Sequence, residues 1–198
     1  MNYQFIDINP TMVEAWKEHF QGHSKVEIIL GDATQHTADA IVSPANSFGF
    51  MDGGIDYALS ERLGWDLQEQ LQAQIAALPE GELLIGKALI LATKDVQIPH
   101  LIVAPTMRVP MSFNIATSVN PYLAMKATLL IAKQHPAIQT VLIPGFCTGI
   151  GRMPPSIAAL QMWKAFQEVV DGEKLNFEYF SDAQKQHWQL NPSGKIYN

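Results

Sequence analysis

The sequence predicts an α/β protein, with helices layered on both faces of a mixed central sheet in a three-layer α/β/α arrangement. Short apolar runs such as 88–93 and 101–104 have the continuous hydrophobicity of strands covered on both faces. Between such runs lie segments whose apolar residues recur at helical spacing and which stop at Gly or Pro. A chain of 198 residues with 47% hydrophobic content can bury one sizeable core, and this length favours a single domain over 1–198.

Residues 3–8 read as the first strand, and 10–20 as a helix closed by Gly22. A short strand over 26–30 runs into Gly31-Asp32, and a further strand over 40–44 leads into a glycine-bearing loop. Helical spacing returns over 55–63, with Gly64 as its stop, and again over 65–78, ended by Pro79. Strands follow at 88–93 and 101–104. A helix over 122–134 tolerates Pro121 in its first turn, because the missing N–H has no helical partner there. The run 140–144 is a strand, 145–155 a loop and 156–170 a long amphipathic helix. The stretch 108–120, with Pro110, Ser112, Asn114, Thr117 and Ser118, reads as a long mobile loop. The aromatics of the tail 171–198, Phe177, Tyr179, Phe180 and Trp188, are expected to pack that tail on the body.

Lys+Arg number 13 against 19 Asp+Glu, a formal net charge of -6, the wrong sign for gripping nucleic acid through its phosphates. Direct nucleic-acid binding is not expected, although this net charge does not exclude a local basic pocket. Cys147 is the sole cysteine, which excludes an internal disulfide, and the 6 histidines show no close metal-ligand spacing. Neither a structural metal nor a cofactor is expected. The first residues do not read as a signal peptide, and no apolar run is long enough for a bilayer, so the expected location is cytoplasmic, without membrane partners.

Three glycine- or carboxylate-bearing stretches fall at expected strand ends, where open α/β sheets place their ligands. They are Gly31-Asp32, the block 43–56 carrying Asn46, Asp52 and Asp56, and the loop 144–154 carrying Cys147 to Arg152. A glycine loop between a strand and a helix can turn main-chain amides toward a phosphate, with the helix N-terminus adding a favourable potential. It is also what an ordinary tight turn looks like, and it matches neither a Walker loop nor the dinucleotide fingerprint. Gly-Asp is by itself a common turn, Asn46 could cap one, and Asp52 reads as a turn residue before Gly53 or as a second catalytic carboxylate.

In combination these stretches resemble the macrodomains. Their Gly-Asp-Ile, Asp-Ala-Ile-Val-Asn-Ala-Ala-Asn, Gly-Val-Asp and Ser-Thr-Gly-Ile motifs have counterparts, in the same order, in Gly31-Asp32-Ala33, Asp39-Ala-Ile-Val-Ser-Pro-Ala-Asn46, Gly53-Gly-Ile-Asp56 and Cys147-Thr-Gly-Ile150. The resemblance covers about 26–170 and implies a macrodomain-like fold with an ADP-ribose pocket. Asp32 would then meet the adenine amino group with Ala33 beside it, and Asn46 would face the distal ribose. Gly53, Gly54 and Ile55 would give amides to one side of the diphosphate, Thr148, Gly149, Ile150 and Gly151 would close on the other, and Cys147 and Arg152 of the same loop would be further ligand-binding residues.

By the same resemblance Asn46 and Asp56 form the catalytic pair, with Asp56 as a general base acting on water near the distal ribose. Asp56 could equally cap the helix that begins near Tyr57. Hydrolysis of an ADP-ribosyl or O-acyl-ADP-ribose linkage, simple binding of ADP-ribose, and removal of a phosphate from ADP-ribose 1''-phosphate all use this one pocket. The sequence departs from the family at Ser43 and Pro44, which replace Asn-Ala, and at Gly151 and Arg152, where an aromatic and a glycine are usual. Phe48, Phe50 or the loop 108–120 would have to replace the missing aromatic lid. Arg152 could pair with phosphate or with Asp52, Cys147 reads as a small buried residue rather than a nucleophile, Met107 could line the pocket, and His100 reads as structural.

Overall fold

The computed structural model describes residues 1–111 and 115–192. Six strands form one sheet: β1 (Asn2–Asp7), β2 (Val26–Leu30), β3 (Ala40–Ser43), β4 (Leu89–Ala92), β5 (His100–Val103) and β6 (Thr140–Ile143). Their order across the sheet is β2-β1-β6-β3-β5-β4. All neighbours are parallel except β4, which runs antiparallel to β5 and makes the sheet mixed.

The period-2 alternation of the strands divides the core between two faces. Tyr3, Phe5, Val42, Ile102, Val141 and Ile143 pack with α1 (Pro10–Phe20), α4 (Asn120–Gln134) and α5 (Pro155–Phe166). Ile6, Ile41, Leu101, Val103 and Leu142 face the other way, against α2 (Gly54–Leu63) and α3 (Asp66–Ala76). The centre of the first face is aromatic: Phe5 lies 5.3 Å from Trp16 and 4.4 Å from Phe20, ring centre to ring centre. Local chemistry agrees with the element boundaries. Asn9 caps α1 by accepting from the Thr11 N–H at 3.0 Å, and Pro10 follows at the first helical position.

The sequence expectations differ from the structure in three places. The long helix expected over 156–170 is α5 to Phe166, after which Gln167–Asp171 widens into a π-turn that ends at Gly172 in the left-handed conformation. The tail holds an unexpected helix, α6 (Phe180–Leu190), and its aromatics do not dock it. Phe177, Tyr179, Phe180 and Trp188 are exposed, whereas Leu190 and Asn191 are buried, and Asn191 Nδ2 donates to the Ser118 carbonyl at 3.1 Å. Aromatic identity signals a large apolar area but not where the chain turns it. Of the loop expected over 108–120, Ser112 and Asn114 lie outside the described residues. Among those described, no helix is long and apolar enough to cross a membrane.

Candidate functional site

The parallel register brings the carboxyl ends of five strands to one edge. Asp7 pairs with Leu30 across β1 and β2, and Ser43 with Val103 across β3 and β5. Above this edge lies a cleft of about 650 Å³, a size suited to a nucleotide-like ligand. Its length follows the strand order. Gly31, Asp32 and Ala33 stand at one end, Pro144 and Gly145 in the middle, and Asn46, Thr106 and Met107 at the other.

Twelve of the thirteen site residues expected from sequence line this cleft: Asp32, Ala33, Asn46, Gly53, Gly54, Ile55, Asp56, Cys147, Thr148, Gly149, Ile150 and Gly151. Arg152 does not. It is exposed, its φ is +51°, and among the described residues it forms no ion pair with Asp52.

Two rows of unpartnered main-chain amides belong to residues that line the cleft. Helix α2 starts at Gly54 without a side-chain cap, so the N–H groups of Gly54, Ile55 and Asp56 have no partner among the described residues. Gly54 has φ +58°, which favours glycine at this first turn. Opposite, Thr148, Gly149, Ile150 and Gly151 likewise have unpartnered N–H groups, in a loop closed by Arg152 N–H to the Gly149 carbonyl at 3.0 Å and Met153 N–H to the Cys147 carbonyl at 3.0 Å. Unpartnered amides together with a helix N-terminus can stabilise an anion without any basic side chain.

Asp32 caps a 3-10 turn, its Oδ1 accepting from both the N–H and the hydroxyl of Thr34 at 2.8 Å, while Oδ2 has no partner among the described residues. Arg62 braces this turn from α2. Its guanidinium donates to the Thr34 carbonyl and reaches Asp95 at 3.2 Å and Gln97 at 3.0 Å. The Asn46 carboxamide is mostly spent on its own loop, with Oδ1 accepting from Phe48 N–H at 3.0 Å and Phe50 N–H at 3.3 Å, and Nδ2 donating to the Phe50 carbonyl at 2.7 Å. One of its amide hydrogens remains.

Asp56 is in the first turn of α2 but is not its cap, which is Gly53. Its Oδ1 accepts the Ser43 hydroxyl at 2.6 Å, and both residues are buried. Burial pushes the Asp56 carboxyl up from 3.8 to about 6, with the Ser43 hydrogen bond opposing the rise. Ser43, a departure from the family motif, is thus the partner of the site's buried acid.

Cys147 is buried with its thiol directed to the Thr106 carbonyl, and burial pushes it up to about 12, away from nucleophilic chemistry. His100 accepts a structural place, its Nδ1 2.8 Å from the Asp39 carbonyl oxygen and its ring 4.5 Å from that of His135. A Cβ on Gly151 would meet the Cys147 carbonyl oxygen at 2.7 Å and Ile115 Cδ1 at 2.9 Å, so Ile115, from the loop 108–120, occupies the space beside this position. Phe50, Met107 and Pro110 also line the cleft, whereas Phe48 does not and instead lies under Arg108.

Two contributors had no signal in sequence. Asp7 lines the cleft and ties two of its loops, accepting from Asn9 N–H at 2.8 Å and Gly145 N–H at 3.2 Å. Only the adjacency of β1 and β6 reveals it. The pairing of Ser43 with Asp56 across 13 positions requires the strand-to-helix geometry.

Residues 42–162 match the family model described as Macro domain. An uncharacterised protein of Aquifex aeolicus is 32% identical over 137 residues, covering 69% of this chain and 78% of that one. An uncharacterised protein of Pyrobaculum aerophilum is 30% identical over 148 residues, covering 73% and 76%. Among solved structures, the macrodomain of Mycobacterium tuberculosis DarG superposes with TM-score 0.59 at 22% identity, over 71% of this chain and 89% of that one. The Oceanobacillus iheyensis macrodomain with ADP gives 0.61 at 18%, over 83% and 86%. The Trypanosoma brucei macrodomain in complex with ADP-ribose gives 0.53 at 19%, over 70% and 56%. At these identities the solved structures establish a shared fold.

Proposed function

This chain belongs to the macro domain family, and from that premise we propose that its cleft binds ADP-ribose or a close derivative and hydrolyses an ADP-ribosyl or O-acyl-ADP-ribose linkage. The observation that carries the ligand is the double row of unpartnered amides, 54–56 against 148–151, on two walls of one cleft. A diphosphate between them accepts hydrogen bonds from both sides, which reconciles an anionic ligand with a protein of net charge -6. The neighbours solved with ADP and with ADP-ribose support the same ligand class.

In this reading the strand order lays the ligand out. Adenine lies at the β2 end against Asp32 and Ala33, the diphosphate at the centre, and the distal ribose at the β3 and β5 end by Asn46. Asn46 chiefly shapes the loop 46–50 and offers its remaining amide hydrogen to the sugar. Asp56, with one oxygen held by Ser43, uses the other to take a proton from water attacking the anomeric carbon or a ribose ester. An acid near 6 is mostly ionised at neutral pH and still basic enough to accept that proton.

A second reading, a binding module without catalysis, is favoured by the spending of Asn46 on loop contacts rather than on a reacting group. Calorimetry with ADP-ribose, followed by product analysis with ester-linked and protein-linked substrates, separates the two. Hydrolysis predicts saturable binding by wild type and Asp56→Ala, with turnover by wild type only. Turnover unchanged in Asp56→Ala contradicts the catalytic assignment, and binding with no product from any substrate supports the module.

A further inference from the structure

The charged groups of the cleft all have one sign. Among the described lining residues Asp7, Asp32, Asp52 and Asp56 are carboxylates, and no Lys, Arg or His joins them. Two are committed. Asp7 has both oxygens on main-chain amides, and Asp32 stands at the far end with one oxygen on Thr34. The other two belong to the start of α2 and the loop before it, at the end where the substituent of the distal ribose would project.

Asp52 has no hydrogen bond or ion pair with the described residues. Asp56 is an independent pointer to a ligand. It is only 7% exposed, it lines the cleft, and its Oδ2 has no partner among the described residues. Phe50, 54% exposed, Met107 and Pro110 also line this end, beside Asn46 and Thr106. The two arginines adjacent in sequence to lining residues of this region are otherwise placed. Arg108 is held by Glu82 at 2.7 Å, and Arg152 lies outside the lining.

A phosphate or carboxylate in this place meets two like charges inside a partly enclosed cleft, where Coulomb terms exceed those in bulk water. A planar cation meets the opposite situation. It can take an Asp52 carboxylate through paired N–H groups and lie on an aromatic face. We propose that the acceptor end of this cleft is built for the guanidinium of an ADP-ribosylated arginine. The inference rests on the reading of the amide rows as a diphosphate site, because that reading sets which end receives the acceptor. It also removes ADP-ribose 1''-phosphate from the favoured substrates.

The reaction balances with the groups present. The bond between the anomeric carbon and the guanidinium nitrogen breaks with its electron pair going to nitrogen. Water oxygen bonds to the carbon, Asp56 takes the water proton, and Asp56 then returns it to the departing neutral guanidine, giving free ADP-ribose and arginine.

The test is calorimetry in Asp56→Asn protein, which does not consume the conjugate, with ADP-ribose, ADP-ribosyl-arginine and ADP-ribose 1''-phosphate as probes. One solvent-exposed charge-assisted contact predicts the arginine conjugate binding about two- to fivefold tighter than ADP-ribose, and the 1''-phosphate binding weaker than ADP-ribose. Adding Asp52→Asn, an exposed substitution, narrows both gaps, and wild type releases free arginine from the conjugate. ADP-ribose binding with no advantage for the conjugate, or an advantage that Asp52→Asn leaves intact, overturns this inference alone. Absence of ADP-ribose binding overturns the ligand reading beneath it as well.

Discussion

Replacing Asp56 by Asn tests the electrostatics of the site without any ligand. The side chain is 7% exposed and keeps one hydrogen-bond donor, Ser43, at 2.6 Å. An Asn oxygen can accept that hydroxyl in the same position, so the substitution removes charge with little change of shape. Burial that moves the carboxyl from 3.8 to about 6 corresponds, at ~1.36 kcal/mol per pH unit, to about 3 kcal/mol between the two protonation states.

The sign follows from which form the fold prefers. Below pH 3.8 the carboxyl is neutral in folded and unfolded chains alike and the site carries no ionisation penalty. As pH rises through about 6 the folded protein must ionise a buried group, and the stability of the neutral form is lost. Asp56→Asn has no such term. Relative to wild type it is therefore expected to be of similar stability at pH 4 and more stable at pH 7.5, by up to about 3 kcal/mol or roughly 6–12 °C in Tm for a chain of this size. Thermal unfolding of both proteins from pH 4 to 7.5 measures the gap. A gap that does not open with pH, or an Asn variant less stable at pH 7.5, refutes the reasoning.

If Asp56 is the general base, the rate of hydrolysis rises with pH along an acidic limb centred near 6 and then levels, as a pH–rate profile will show. Ser43→Ala removes the one donor to the carboxylate, so that limb shifts to higher pH while ADP-ribose affinity, read by calorimetry, changes little. Asp32→Ala loses two hydrogen bonds to Thr34 and the turn cap, costing about 1–2 kcal/mol in urea unfolding, and weakens ADP-ribose more than ribose 5-phosphate. Gly151→Ala forces a Cβ to 2.7 Å from the Cys147 carbonyl oxygen. It is expected to destabilise by about 1–3 kcal/mol and to reduce affinity by displacing the amide row.

Much of the architecture is legible in sequence because the central strands are apolar on both sides and the helices carry their own stops. Ile41, Leu101 and Leu142 on one face and Val42, Ile102 and Val141 on the other leave little choice about burial. The direction of β4 is less legible, since an apolar run reads alike in a parallel or antiparallel partner. Tail aromatics carried no directional information, and α6 is held at its end by Leu190 and Asn191.

The site divides the same way. Residues contiguous in the glycine loops, such as Gly53 to Asp56 and Thr148 to Gly151, could be named because their chemistry is local. Asp7, Ile115 and the Ser43 partnership with Asp56 depend on strand adjacency and loop packing, which spacing along the chain does not encode. Arg152 shows the converse. It is contiguous with the cleft-lining loop 148–151, yet its left-handed backbone accompanies a side chain that lies outside the cleft.

The central claim is that main-chain amides on two walls of one cleft hold a diphosphate. Amide chemical shifts recorded during titration of ¹⁵N-labelled protein with ADP-ribose test it most directly. The account predicts the largest, saturable changes at Gly54, Ile55, Gly149, Ile150 and Gly151, with smaller ones at Asp32 and Ala33. Saturation at millimolar ligand with those five amides unmoved, or no saturable change at all, contradicts it.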